Sequence, residues 1–397
     1  MSVLDAENVE QLAFDLFYIA MSDRCNLSCI MCSTTKHPAE YEEGMNEAEL
    51  SLGQWKKIID NIMRFKTGTI SFGGGEPLLR ERELSELVTM VASGDVEVNI
   101  VTNATLLTDN FLKTINQYKE KIVFILSVDG LAKETGYIRG KGVFEKVIAA
   151  AEILRQDNWR FIFTSVLMPQ NFLGFIDFLK FAHEKFPEIP LEIQPVIPHN
   201  EIYYIREKFI LSEEYLNALK NILVFLHEEG IPMSDPDLSL KKDTFLGLVE
   251  NVDILWGELV RNEYVTVDGS ILDKFKNLHD MSEMALNSPH VDKKPGIYSA
   301  ILKIIKNQNK IKLTRPLKLI DLYWDYFSNS LHTNNQCKMG TKSFNINRRG
   351  NLWICGKELD YPLYQYKIEE IFNMQEYRDE MKRVEKCTSP CFAGLVV

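Results

Sequence analysis

Three cysteines fall within eight residues, Cys25-Asn26-Leu27-Ser28-Cys29-Ile30-Met31-Cys32, spaced C-x3-C-x2-C. Three thiolates on one short loop can converge on one face of an iron–sulfur cube. A cube has four irons, so one iron is left without a protein ligand and is open to a small molecule. Clusters of this type normally take four cysteines, which makes a set of three informative. Two blander readings stand beside it: a zinc site short of a ligand, or three unrelated buried thiols. Zinc sites pair C-x2-C with a second pair or with spaced histidines, and the nearest histidine, His37, has no such partner.

Further polar clusters follow at regular intervals: Gly73-Gly74-Gly75-Glu76-Pro77, Thr102-Asn103, Ser127-Val128-Asp129-Gly130 and Gln194. Each falls at the carboxyl end of an apolar run that reads as a strand. The runs are Ala13 to Ala20, Thr69 to Phe72, Val96 to Val101, Ile122 to Leu126, Phe161 to Leu167 (ended by Pro169) and Leu191 to Val196. Between them lies helical text. Ser51 with Gln54 makes a capping box ahead of Trp55, Ile58, Ile59, Ile62 and Met63 on one face. Thr108 caps a helix bearing Phe111, Leu112 and Ile115, and another covers Val143 to Leu154. Strands joined by crossover helices pair in parallel with right-handed connections. The fold class expected is α/β, a partial (β/α)6 TIM-like barrel, with function at the carboxyl ends of its strands.

The cysteine spacing resembles the C-x3-C-x-Φ-C motif of the radical S-adenosylmethionine (SAM) enzymes, with Met31 where an aromatic is usual. Gly74, Gly75 and Glu76 resemble the GGE motif, whose backbone and acid contact the SAM amino group. Ser127 to Gly130 with Tyr137-Ile138-Arg139-Gly140 looks like the SVDG…RG pattern of members bearing a C-terminal cluster domain. The resemblance puts Ser127 near the ribose and Arg139 near the SAM carboxylate. It also implies that Cys25, Cys29 and Cys32 hold a 4Fe–4S cluster whose open iron chelates SAM. For Asn103, Asp129, Val166 and Gln194, three roles stay open: SAM contact, substrate contact and strand-end hydrogen bonding. Alone, GGGEP is also a plain strand-to-helix turn; no G-K-[ST] or G-x-G-x-x-G accompanies it.

The remaining cysteines, Cys337, Cys355, Cys387 and Cys391, sit near the C-terminus. Phe344 to Ile354 reads as a hairpin around an Arg-Gly-Asn turn, and a helix between Ile368 and Val384 brings back the second pair. Four thiols suit one complete site, either a zinc ribbon or a cluster. The opening resembles the SPASM/twitch extension, which implies a second, auxiliary 4Fe–4S cluster. All seven cysteines are then used, which argues against chemistry needing a spare thiol. Residues 1–200 are expected to form the partial barrel and 201–330 a helical cap. Residues 331–397 are expected to form a small cysteine-rich α+β domain. In the cap, Ser212 to Glu229 reads as an amphipathic helix, and Leu319 to Phe327 reads as helix core or pocket lining.

The bulk properties are ordinary for a large domain with an addition: 397 residues, 45% hydrophobic and 25% charged. A net charge of −11 gives no basic footprint for nucleic acid or anionic membrane. The acidic N-terminus lacks a signal peptide's basic and apolar regions, and no apolar run reaches the ~18 residues of a membrane span. Cytoplasmic location is expected, where seven cysteines suit metal better than disulfides.

The family resemblance implies reductive cleavage of SAM to a 5′-deoxyadenosyl radical and hydrogen abstraction from an unactivated carbon. A net oxidation would finish at the auxiliary cluster, with electrons from a flavodoxin or ferredoxin. Many relatives modify ribosomally made peptides; others oxidise aminocyclitol sugars or work on tetrapyrroles. With 24 residues before Cys25, no N-terminal leader-binding module is expected; a separate leader-binding protein could supply one, or the helical segment at 200–330 could receive substrate directly. A non-catalytic iron–sulfur or zinc scaffold is the reading of another class.

Overall fold

The computed structural model describes residues 12–32, 49–167, 169–172, 174–187, 189–195, 209–211, 265–267, 339–355 and 357–386. Cys337, Cys387 and Cys391 lie outside the described residues, as do Ser212 to Glu229, Leu319 to Phe327 and nearly all of the expected cap. The chain divides into two compact units, one of 1–127, 145–161 and 334–397, the other of 128–144 and 162–333.

In the first unit the dense apolar text of β1 (Ala13–Ala20) forms a strand with the expected bounds. It pairs in parallel with β2 (Lys66–Gly73), which pairs with β3 (Glu97–Thr102), which pairs with β4 (Ile122–Ser127). Three helices fill the first two crossovers and the third: α1 (Leu52–Met63), α2 (Glu81–Ala92) and α3 (Asp109–Ile115). The Ser51–Gln54 capping box starts α1, and the Thr108 hydroxyl accepts the Phe111 N–H to start α3. β2 begins three residues earlier than its apolar run suggests. A Cβ at Gly68 would lie 2.9 Å from the Asp15 carbonyl oxygen. The glycine permits close approach to β1, so pairing continues through it.

The second unit contributes the bulk of β5 (Arg160–Leu167), paired in parallel with β6 (Leu191–Pro195). It also holds α4 (Ala132–Ile138), the start of α5 (Val143–Gln156), a helical turn at Pro169–Phe172 and α6 (Phe175–Lys185). Pro169 opens that turn, a position where its missing N–H costs nothing. A separate parallel pair joins β7 (Phe209–Leu211) to β8 (Val265–Val267).

The C-terminal segment supplies a finding that spacing does not announce. β9 (Ser343–Ile346) lies parallel to β1 on the side away from β2, with Leu16 opposite Ser343 and Ile19 opposite Ile346. The expected hairpin follows: β10 (Leu352–Ile354) runs antiparallel to β9, turning at Gly350 (φ +81°), and β11 (Lys357–Leu359) pairs beyond it. Phe344 stacks on Phe17 at 5.4 Å and on Phe372 at 5.6 Å, and Tyr377 packs on Phe372 at 4.7 Å. This aromatic column joins the C-terminal segment to β1. The single helix expected between Ile368 and Val384 is two, α7 (Ile368–Phe372) and α8 (Gln375–Glu385). Met374 is extended (φ −76°, ψ 148°), and the Asn373 amide turns back to the Glu369 carbonyl, so the first helix closes before the second begins.

Candidate functional site

The cysteine loop leaves the carboxyl end of β1, and the glycine loop leaves the carboxyl end of β2, its parallel neighbour. Two backbone bonds join them: Gly75 N–H donates to the Ser22 carbonyl at 2.6 Å and Glu76 N–H to the Arg24 carbonyl at 2.8 Å. Gly74 N–H donates to the Tyr18 hydroxyl at 2.9 Å. A Cβ on Gly74, where φ is +108°, would sit 2.5 Å from the Ser22 oxygen, and one on Gly75 2.0 Å from the Arg24 oxygen. These glycines are needed because the backbone of residues 22–24 occupies the place of their side chains. The GGE stretch therefore positions the residues that lead directly into Cys25.

Glu76 is 1% exposed. One carboxylate oxygen accepts Leu78 N–H at 3.0 Å and the Thr102 hydroxyl at 2.7 Å, and the other accepts Asn103 N–H at 2.8 Å. Burial pushes its pKa above the ordinary glutamate range, and those three donors work against the shift. Glu76 thus ties the end of β2 to the end of β3. After β3 the chain turns sharply, with Ala104 in the left-handed region at φ +55° and its N–H held by the Thr102 hydroxyl at 2.9 Å. That conformation costs a non-glycine residue on the order of 1–2 kcal/mol. It aims the Asn103 amide at the cysteine loop.

Cys25 and Cys32 are half-buried, Cys29 is buried, and none of the three forms a disulfide. Leu27 N–H donates to Cys25 Sγ at 3.4 Å, and Cys32 N–H donates to the Cys29 carbonyl at 3.1 Å, which curls the loop. Burial pushes the Cys25 thiol above its ordinary pKa; the Leu27 N–H opposes it, and Glu76 and Cys32 add to it. Met31 lies on this loop, half-buried. Among the described residues no group of three or more His, Cys, Asp or Glu side chains is gathered to hold a single metal ion. In a cubane each thiolate takes its own iron, so three soft donors on one curled loop fit that group.

Below the loop, Arg80 donates to the carbonyls of Met21 (3.3 Å) and Leu50 (2.8 Å), holding the chain ahead of the cysteines. Asp23 pairs with Arg348 from the β9–β10 turn. The pair brings a C-terminal cation to within two residues of Cys25. The sequence singles out none of Tyr18, Thr105 and Arg348, and it offers Thr102 and Asn26 only as parts of a strand-end cluster and of the cysteine loop. Thr102 to Thr105, short polar side chains after a strand, carry the signal of side-chain-to-backbone turns. Nothing local marks Tyr18 or Arg348.

Ser127 ends β4, half-buried. In the second unit Asp129 is fully buried and forms an ion pair with Arg139 at 2.6 Å. Its other oxygen accepts Val166 N–H at 2.8 Å, while the Asn171 amide donates to the carbonyls of Asp129 (2.9 Å) and Val166 (2.8 Å). Asp129, Arg139, Val166 and the unforeseen Asn171 thus make one node at the end of β5. Gln194 stands in register opposite Val166. Cys355, closing β10, has φ +47°, and its carbonyl accepts from Arg383 at 2.9 Å.

Residues 19–182 match the model of the radical SAM superfamily. They form a radical SAM domain. Among curated proteins, Fe-coproporphyrin III synthase of Methanosarcina barkeri is 32% identical over 129 residues, covering 32% of this chain and 31% of that protein. PqqA peptide cyclase of Rhodopseudomonas palustris is 36% identical over 89 residues, 22% of each chain. This chain thus matches these relatives over less than half their length. Among solved structures, anSMEcpe with bound AdoMet and Kp18Cys peptide superposes with a TM-score of 0.55 at 16% identity, over 94% of this chain and 84% of that one. That likeness shows the shared α/β fold, with mostly parallel strands. Among the described residues no helix is long and apolar enough to cross a membrane.

Proposed function

We propose that this chain is a radical SAM oxidoreductase that modifies a ribosomally made peptide. The observation that supports the reading is the backbone zip between Gly75-Glu76 and Ser22-Arg24, which holds the stretch leading into Cys25 against the glycine loop at the end of β2. Cys25, Cys29 and Cys32 would hold a 4Fe–4S cluster, which would supply the electron for reductive cleavage of SAM and so the radical chemistry on the substrate. The chain's own residues orient and enclose. Gly74 and Gly75 keep side chains out of the space beside the loop, and Glu76 and Asn103 lock the β2 and β3 ends against it. The Leu27 N–H offsets the negative charge of the Cys25 thiolate. For Ser127 and Arg139 the SAM contacts implied by the family pattern are kept as assignments to be tested.

Cys337, Cys355, Cys387 and Cys391 are proposed to hold an auxiliary 4Fe–4S cluster in a SPASM/twitch-like segment, which would accept the electron of a net oxidation from substrate. A flavodoxin or ferredoxin is the proposed donor for SAM cleavage, and a separate leader-binding protein a proposed partner. Peptide modification is supported by the PqqA peptide cyclase relative and by the peptide-bound fold neighbour. The Fe-coproporphyrin III synthase relative supports a second reading, a tetrapyrrole or other small-molecule substrate.

The test is iron, sulfide and zinc content of anaerobically reconstituted protein with Mössbauer spectra, followed by assay of 5′-deoxyadenosine. About eight irons per chain are expected for two cubes, with SAM cleavage under reduction. About four irons and one zinc would make the C-terminal site structural. Absence of 5′-deoxyadenosine would overturn the enzyme reading in favour of a scaffold.

A further inference from the structure

The side chain of Asn103 has two N–H donors and one oxygen with two lone pairs, and every one is engaged within the chain. The oxygen accepts Thr105 N–H at 3.0 Å and the Thr105 hydroxyl at 2.7 Å. A backbone N–H can only donate, so this bond settles which way round the amide lies. Nδ2 therefore faces the cysteine loop, donating to Asn26 Oδ1 at 2.9 Å and reaching Cys25 Sγ at 3.9 Å. Asn26 closes the ring by donating to the Thr105 hydroxyl at 2.8 Å. Asn103 is itself buried, its main-chain N–H is spent on Glu76, and Ala104 beside it holds a left-handed backbone. The arrangement is over-determined, and it leaves no capacity for a ligand.

We infer that Asn103 is a positioning residue that raises the reduction potential of the proposed SAM cluster by donating a hydrogen bond to the Cys25 sulfur, and that it contacts neither SAM nor substrate. The inference rests on the cluster reading above. One-electron reduction adds negative charge that spreads onto the ligating sulfurs. A donor aimed at one of them stabilises the reduced form, and a thiolate holds that bond more strongly than a thiol does. The amide is also tied to Asn26, the residue after Cys25, so the same side chain sets the sulfur's position and its field.

The experiment is an EPR-monitored redox titration of the full chain, reconstituted anaerobically, using the signal that SAM perturbs to identify the cluster. Asn103→Asp keeps the acceptors for Thr105 and replaces the donor with a carboxylate oxygen. Its midpoint potential should fall clearly below that of the wild type, with the SAM Kd changed less than threefold. Thr105→Val loosens the amide without touching Asn103 and should shift the potential the same way by less; it also serves if the aspartate variant loses iron. Wild-type potentials in both variants would overturn the inference. So would a tenfold rise in SAM Kd with little change in potential, which would make Asn103 a SAM contact. A wild-type protein with no reducible cubane would overturn the functional reading first, and this inference with it.

Discussion

At the residue scale, Glu76 and Gly75 carry the most exposed predictions. Replacing Glu76 with Gln turns one acceptor oxygen into an NH2 that faces a buried N–H. With Leu78 and Thr102 served by the remaining oxygen, Asn103 N–H is left unpaired, at a cost of about 1–3 kcal/mol. Chemical denaturation at pH 7 should show that loss. The same residue has a pH signature. Its folded pKa lies above the ordinary 4.5, so between that value and the folded pKa the unfolded chain releases a proton that the folded chain keeps. Stability from this group therefore falls as pH rises through that window and is level above it. Glu76→Gln should flatten that part of the curve; an unchanged slope would contradict the assignment. Gly75→Ala places a methyl 2.0 Å from the Arg24 oxygen, a fixed backbone atom. The cysteine loop must then move, and the variant should reconstitute with iron lost from the first cluster alone, about half the wild-type content if two cubes are present.

At the scale of elements, the node at the end of β5 is the sharpest case. Asp129 is wholly buried and Arg139 nearly so. Asp129→Asn preserves an acceptor for Val166 N–H but removes the charge facing the guanidinium. Breaking a buried ion pair from one side costs on the order of 3–5 kcal/mol, measured by urea denaturation. A loss below about 1 kcal/mol would show the pair to be solvated, as surface pairs are. The β9–β10 turn gives the contrasting case, because its Arg348 meets an Asp23 that is 40% exposed. Arg348→Ala should change stability by no more than about 1 kcal/mol, with the same midpoint in a double variant with Asp23→Asn if the two residues act only as a pair. The strands and caps in this scale were readable beforehand. β1 has its expected bounds, and the Ser51 and Thr108 caps stand where apolar periodicity begins. The split between α7 and α8 was not, since Asn373 and Met374 do not interrupt the helical apolar pattern; only the closing of the Asn373 amide on Glu369 reveals it.

At the scale of the whole molecule, the first unit is built from the two ends of its chain. Phe344 stacks between Phe17 and Phe372, so Phe344→Ala should cost about 3–5 kcal/mol, read as a lower unfolding midpoint for the region that contains the cysteine loop. The sequence by itself determined which side chains are candidates for the chemistry, because thiol spacing and strand-end polar clusters are local patterns. Cys25, Cys29, Cys32 and Gly74 to Glu76 needed only the alternation of strands and helices to be placed at one set of strand ends. Tertiary structure alone decided how they are held. Tyr18 meets Gly74 across 56 positions, Asn103 meets Asn26 across 77, and Asp23 meets Arg348 through a strand, β9, that joins the sheet from the far end of the chain. Such partners share no sequence period. They are chosen by which strands lie side by side, and burial then requires each polar atom at those strand ends to find the partner that pairing has brought within reach.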